Sequence, residues 1–101
     1  MKLQYADTIF SLDKKGLKHI LSRHHPKYWD GSIKAGQSFF SKQTSVNDII
    51  ETITQIMEQN RELIITLKDN RQFQITGTVN GIQYVLGTKN RRIAQFYPLL
   101  N

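Results

Sequence analysis

The sequence predicts an α+β fold: two N-terminal helices packed on a four-stranded antiparallel β-meander, in a single domain spanning residues 1–101. Three observations predict it. Apolar residues recur at helical spacing up to about residue 60, the period changes to two from Leu63 onward, and Asn80-Gly81 marks a tight hairpin inside the alternating part. A chain of 101 residues can bury a core without disulfides or a structural metal, and this one has no cysteine.

The first helix is expected after Asp13, a capping residue, because Leu17, Ile20, Leu21 and His24 fall at i, i+3, i+4 and i+7. Pro26 ends it by pushing the preceding residue out of the helical region. Residues 26–44, with two glycines and the aromatics Tyr28, Trp29, Phe39 and Phe40, lack a steady period and read as an ordered loop. The second helix starts at a capping-box pattern, Ser45 to Asp48, and sets Val46, Ile49, Ile50, Ile53, Ile56 and Met57 on one face. Helices and loop thus occupy about 12–60 and the meander about 62–100. Its strands are LIITLKD, with Leu63, Ile65 and Leu67 on one side; RQFQITGTV, with Phe73, Ile75 and Val79 opposite Gln72, Gln74, Thr76 and Thr78; IQYVLGT; and RIAQFYPLL.

Net charge is +6, and it is unevenly spread. Residues 14–42 carry Lys14, Lys15, Lys18, Arg23, Lys27, Lys34 and Lys42 against Asp30 alone, and beyond Asp69 there are Arg71, Lys89, Arg91 and Arg92 with no acid. An acidic segment separates them. If both basic segments face one cleft, the field suits a polyanion such as nucleic acid. No stretch approaches the roughly 18 apolar residues of a membrane span, so no membrane partner is expected for the isolated domain.

The chemistry concentrates in HILSRHHPKYWDGS, residues 19–32, which hold all three histidines. Cleavage of RNA without a metal needs a base for the ribose 2′-hydroxyl, an acid for the leaving 5′-oxygen, and cations for the phosphorane. Histidine suits both proton roles near neutral pH. His24 and His25 are the leading acid and base candidates with His19 behind them; Arg23, Lys27, Lys34 and Lys42 are candidates for holding phosphate. Thr76, Thr78, Gln95 and Tyr97 on the sheet can add hydroxyl or amide donors and a stacking face. A metal site is disfavoured, because the histidines lack ligand spacing and Asp30 is the only nearby acid on their C-terminal side; neither metal nor cofactor is expected. The phosphate-cradling glycine loop and G-x-S-x-G are both absent.

The run LKHILSRHHPKYW, followed by a capped amphipathic helix and by strands ending TGTVNGIQYVLG and RIAQFYP, resembles the C-terminal toxin domains of bacterial polymorphic toxins of the LXG or contact-dependent-inhibition type. Within these it is most similar to the EndoU-like members of the barnase/EndoU/colicin/RelE group. The resemblance implies a metal-independent endoribonuclease that leaves a 2′,3′-cyclic phosphate, with tRNA a candidate target. It implies delivery as the C-terminal part of a larger toxin, action in the target-cell cytoplasm, and neutralisation by a cognate immunity protein, expected to be acidic by charge complementarity. Its two histidines, lysine and terminal tyrosine are matched here by His24 or His25, Lys34 or Lys42, and Tyr97; Gln95 stands where the resemblance has threonine or serine. Two rival readings remain at this stage: a non-catalytic nucleic-acid-binding module, and a metal-dependent DNase toxin.

Overall fold

The computed structural model describes residues 1–29, 31 and 38–99. In chain order the elements are β1 (Lys2–Tyr5), β2 (Thr8–Ser11), α1 (Lys14–His24), α2 (Val46–Gln59), α3 (Arg61–Leu67), β3 (Gln72–Val79), β4 (Ile82–Lys89) and β5 (Arg92–Pro98). The strands form one sheet in the order β1-β2-β5-β4-β3. Its pairs are antiparallel except β2 with β5, which run parallel and meet through Ser11 and Arg92.

This corrects the expected architecture of two helices on a four-stranded antiparallel meander. The described residues form a five-stranded mixed sheet with three helices, only one of which precedes the basic loop. One ambiguity of period and one unsignalled turn explain the difference. LIITL alternates as a strand should, yet the chain buries Ile64 and leaves Leu63 and Ile65 exposed, the reverse of the strand reading. A run this short, with four of its five residues apolar, satisfies either period, and here it continues from α2 as the short helix α3. The hairpin β1–β2 was missed because its turn is Ala6-Asp7, with Ala6 at φ 55°, rather than a pair containing glycine or asparagine. It is nevertheless core structure: Tyr5 and Phe10 are 2% and 1% exposed, and Phe10 packs edge-on against Phe73.

Both long helices begin with side-chain caps. Asp13 accepts a hydrogen bond from Gly16 N at 2.7 Å, and Ser45 and Asp48 cap each other reciprocally. α2 lays Ile49, Ile53, Ile56 and Met57, all at most 1% exposed, on the face of the sheet that carries Phe73, Ile75, Leu86 and Phe96. Close approach is possible because Gly77 has no side chain; a Cβ there would come within 2.6 Å of Ile56 Cδ1. At the end of α2, Gln59 donates to Thr78 O and accepts from Thr78 N, and Asn60 donates to Thr76 O, so polar side chains cover the edge of β3.

α1 lies along β5, whose edge is free because β2 pairs with it only at Arg92. The approach is again set by a glycine, since a Cβ on Gly16 would stand 2.9 Å from Ile93 O. A glycine within a helix ordinarily gains stability on replacement by alanine. Here Gly16→Ala is expected to destabilise by about 1–3 kcal/mol through overpacking against a backbone carbonyl, which chemical denaturation would measure directly.

Candidate active site

β5 contains a bulge. Gly87 and Thr88 are consecutive on β4, but their partners Gln95 and Ile93 are two apart, so Ala94 is an extra residue. Ile93 and Phe96, three residues apart, consequently both point into the core at 1% and 0% exposure. Gln95 and Tyr97 emerge on the opposite face. There the cross-strand register makes one row of Thr76, Val85 and Tyr97 and another of Gln74, Gly87 and Gln95. Gln74 Nε2 donates to Gln95 Oε1 at 3.3 Å across the space that Gly87 leaves empty.

The end of α1 brings His24 to this face. Its ring stacks on Tyr97 with centroids 5.0 Å apart and 25° between planes, and meets Phe40 edge-on. His24 Nδ1 is 2.8 Å from Ser38 O. A carbonyl can only accept, so Nδ1 carries the proton, and in the uncharged ring Nε2 is left with its lone pair. Burial pushes the His24 pKa below the ordinary 6.5; the Ser38 bond opposes this, and the nearby charges of Arg23 and His19 add to it. His24 is therefore a half-buried imidazole with one nitrogen anchored and its proton affinity reduced.

His25 is built differently. Pro26 holds it extended at φ −107°, ψ 125°, so its side chain leaves the direction of α1 and is 2% exposed. Nε2 donates to Thr44 O at 2.7 Å and Nδ1 accepts from Lys27 N at 3.1 Å. Both ring nitrogens are thus occupied by backbone, and the ring ties together the two ends of the segment that carries Ser38 and Phe40. Phe40 N also bonds to His24 O. The adjacent histidines divide into one with a nitrogen available and one that organises the loop.

The remaining candidates scatter around this pair. His19 is exposed and lines a concavity of about 440 Å³ with Lys15, Lys89, Asn90 and Arg92. Arg23 is half-buried in the last turn of α1, Lys27 and Lys42 are exposed on the following segment, and Thr76, Thr78 and Gln95 are exposed on the sheet. Lys34 lies outside the described residues. Sequence reasoning missed Ser38 and Phe40, which hold His24 across 14 and 16 positions of chain, and Lys15, Lys89 and Arg92 as companions of His19. No local pattern signals such contacts; only the odd arginine after Asn90, in a hairpin turn, stands out. Among the described residues, no three side chains of metal-ligating type come together, and no helix is long and apolar enough to cross a membrane.

Comparison with known protein families matches residues 15–100 to the family described as bacterial EndoU nuclease. No curated protein and no solved structure matches the chain.

The division of labour between the histidines is measurable without any substrate. His25→Ala removes two part-buried hydrogen bonds and the packing of the ring against Tyr28. It is expected to cost about 2–4 kcal/mol in urea denaturation. His24→Ala, losing one bond and a partly exposed stack, is expected to cost about 1 kcal/mol.

Proposed function

The chain belongs to the bacterial EndoU nuclease family, and from that footing we propose that it is a metal-independent endoribonuclease with His24 as its general base. The observation that carries this reading is the His24 ring, anchored through Nδ1 to Ser38 O, stacked on Tyr97, and held by burial in its proton-accepting form. Nε2 takes the proton of a ribose 2′-hydroxyl; the 2′-oxygen attacks the adjacent phosphorus; the bond to the 5′-oxygen breaks. The products are a 2′,3′-cyclic phosphate and a 5′-hydroxyl, the latter completed by a proton from an acid.

His19 is the candidate acid. It is exposed, its charge is felt at His24, and it opens onto a cationic concavity, whereas His25 has both nitrogens engaged. Arg23 and Lys27 flank the histidine pair and are assigned to phosphate with Lys42; Lys34 is a further candidate. Tyr97 orients His24, and its row with Thr76, together with the Gln74–Gln95 pair, offers a face for a base. Thr78 lies one row further along β3.

The biological setting is part of the proposal. A basic nuclease domain, with net charge +6, fits a delivered toxin that acts on RNA, tRNA among its targets, in the cytoplasm of a recipient cell and is held inactive in its producer by an acidic immunity protein.

Incubation with total cellular RNA in excess EDTA tests the chemistry. Discrete fragments with cyclic phosphate ends are expected, with turnover reduced about 10²–10⁴-fold in His24→Ala; intact RNA with binding retained would leave a binding module, and cleavage of DNA only after metal addition would leave a DNase. The pH profile gives a second check. The base works unprotonated and its pKa is depressed, so activity should persist below pH 6.5 and fall only as pH drops through the lowered value. Phe40→Ala, which opens the surroundings of the ring to water, should move that acidic limb upward.

A further inference from the structure

The sheet contains two tight hairpin turns of the same geometry with different occupants. Between β3 and β4 the central residues are Asn80 and Gly81, at φ 52° and 79°; between β4 and β5 they are Asn90 and Arg91, at φ 52° and 64°. Glycine adopts the left-handed region freely, and a residue with a Cβ does so under strain. The second turn therefore holds a guanidinium at its apex against the backbone preference of arginine, which makes a role for that charge worth seeking.

Cations outnumber carboxylates around the apex. Asn90 lies between two concavities: the one of about 440 Å³ that includes His19, Lys15 and Lys89, and another of about 300 Å³ that includes Arg71 and Arg91 with Lys68 and Asp69. Arg71 Nε donates to Asn90 Oδ1 at 3.1 Å, fixing one guanidinium beside the turn. The carboxylates nearby pair with other cations, Asp13 with Arg92, and Asp7 and Asp69 together with Lys68, which leaves the two arginines in net excess by one positive charge. Among the described residues, Lys15, Arg71, Lys89 and Arg91 form no ion pair, and all four are exposed. Two guanidinium groups at one turn, Arg71 and Arg91, are suited to phosphate oxygens.

Its position relates it to the active site. α1 and β5 run side by side in the same sense, with Gly16 against Ile93 at one end and His24 against Tyr97 at the other. Eight helical residues and four strand residues give the same length for this seam, about 12 Å and about 13 Å. The turn lies just beyond its near end. A strand of RNA whose scissile phosphate sits at His24 can run along the seam and place a more distant phosphate at the turn.

We propose that Arg71 and Arg91 form a distal phosphate-anchoring subsite for the RNA strand, beyond the concavity that Lys15 and Lys89 share with His19. The proposal rests on the ribonuclease reading only for the direction of the strand. The anchor adds affinity for long substrates, contributes nothing to cleavage of a dinucleoside monophosphate, whose one phosphate is the scissile one, and appears in KM rather than kcat.

The test compares wild type with Arg91→Gly and with Arg71→Gln/Arg91→Gly. Arg91→Gly relaxes the turn, so it should fold with equal or greater thermal stability, which removes misfolding as an explanation. On an RNA oligonucleotide, KM should rise about threefold to tenfold per removed charge while kcat and dinucleotide cleavage stay unchanged. Binding of a non-cleavable 2′-deoxy oligonucleotide should weaken in parallel, with the slope of log affinity against log salt shallower by about one per charge removed. Equal losses on long and short substrates, or unchanged binding and salt slope, would overturn the anchor. If wild type cleaves neither substrate, the ribonuclease reading fails, and deoxyoligonucleotide binding still decides the anchor.

Discussion

One extra residue in β5 governs which side chains the site can use. Without the bulge at Ala94, strict alternation would put Ile93, Gln95 and Tyr97 on one face and send Phe96 to the other. The core would lose the ring that stacks on Phe40 and Tyr84, and Tyr97 would be buried beneath the helices. With the bulge, Phe96 locks the strand from inside while Tyr97 supplies a platform from outside. His24 depends on both neighbours: it stacks on Tyr97 and meets Phe40, whose own position is set by Phe96.

The same economy appears in the two histidines. They are adjacent in sequence, but one is the last residue of α1 and the other is its extended C-cap, so the chain direction changes between them. That change separates their environments without any insertion. His25 spends both nitrogens on backbone at positions 27 and 44, which fixes the segment from which Ser38 reaches His24. Pro26 is the covalent cause, since it excludes a helical conformation for His25.

Much of this was legible in the residues, and the illegible part has a physical origin. Asp13 and the Ser45–Asp48 box marked both long helices because capping is local chemistry between residues three apart. The histidine cluster stood out by composition. What could not be read was whatever depends on partners distant in sequence: the parallel junction of β2 with β5, the bulge, and the assignment of distinct tasks to His24 and His25. The segment 61–67 failed for another reason. Leu63, Ile65 and Leu67 do alternate with Glu62, Ile64 and Thr66, but so short a run with Ile64 on the second side fits either period, and continuity with α2 through Asn60 decided the outcome.

The amides of Gln59 and Asn60 along β3 bear on how this protein behaves in a crowd. β3 is a long terminal strand, and an open strand of that length is a template on which another chain can add itself. Gln59 answers both hydrogen-bonding groups of Thr78 much as a neighbouring strand would, so the helix carries a miniature surrogate for the missing sixth strand. Solubility at high concentration is thereby tied to the seating of α2 on Gly77. Loosening that contact would do more than soften the core, because it would unmask an adhesive edge and couple the folding of one molecule to the assembly of many.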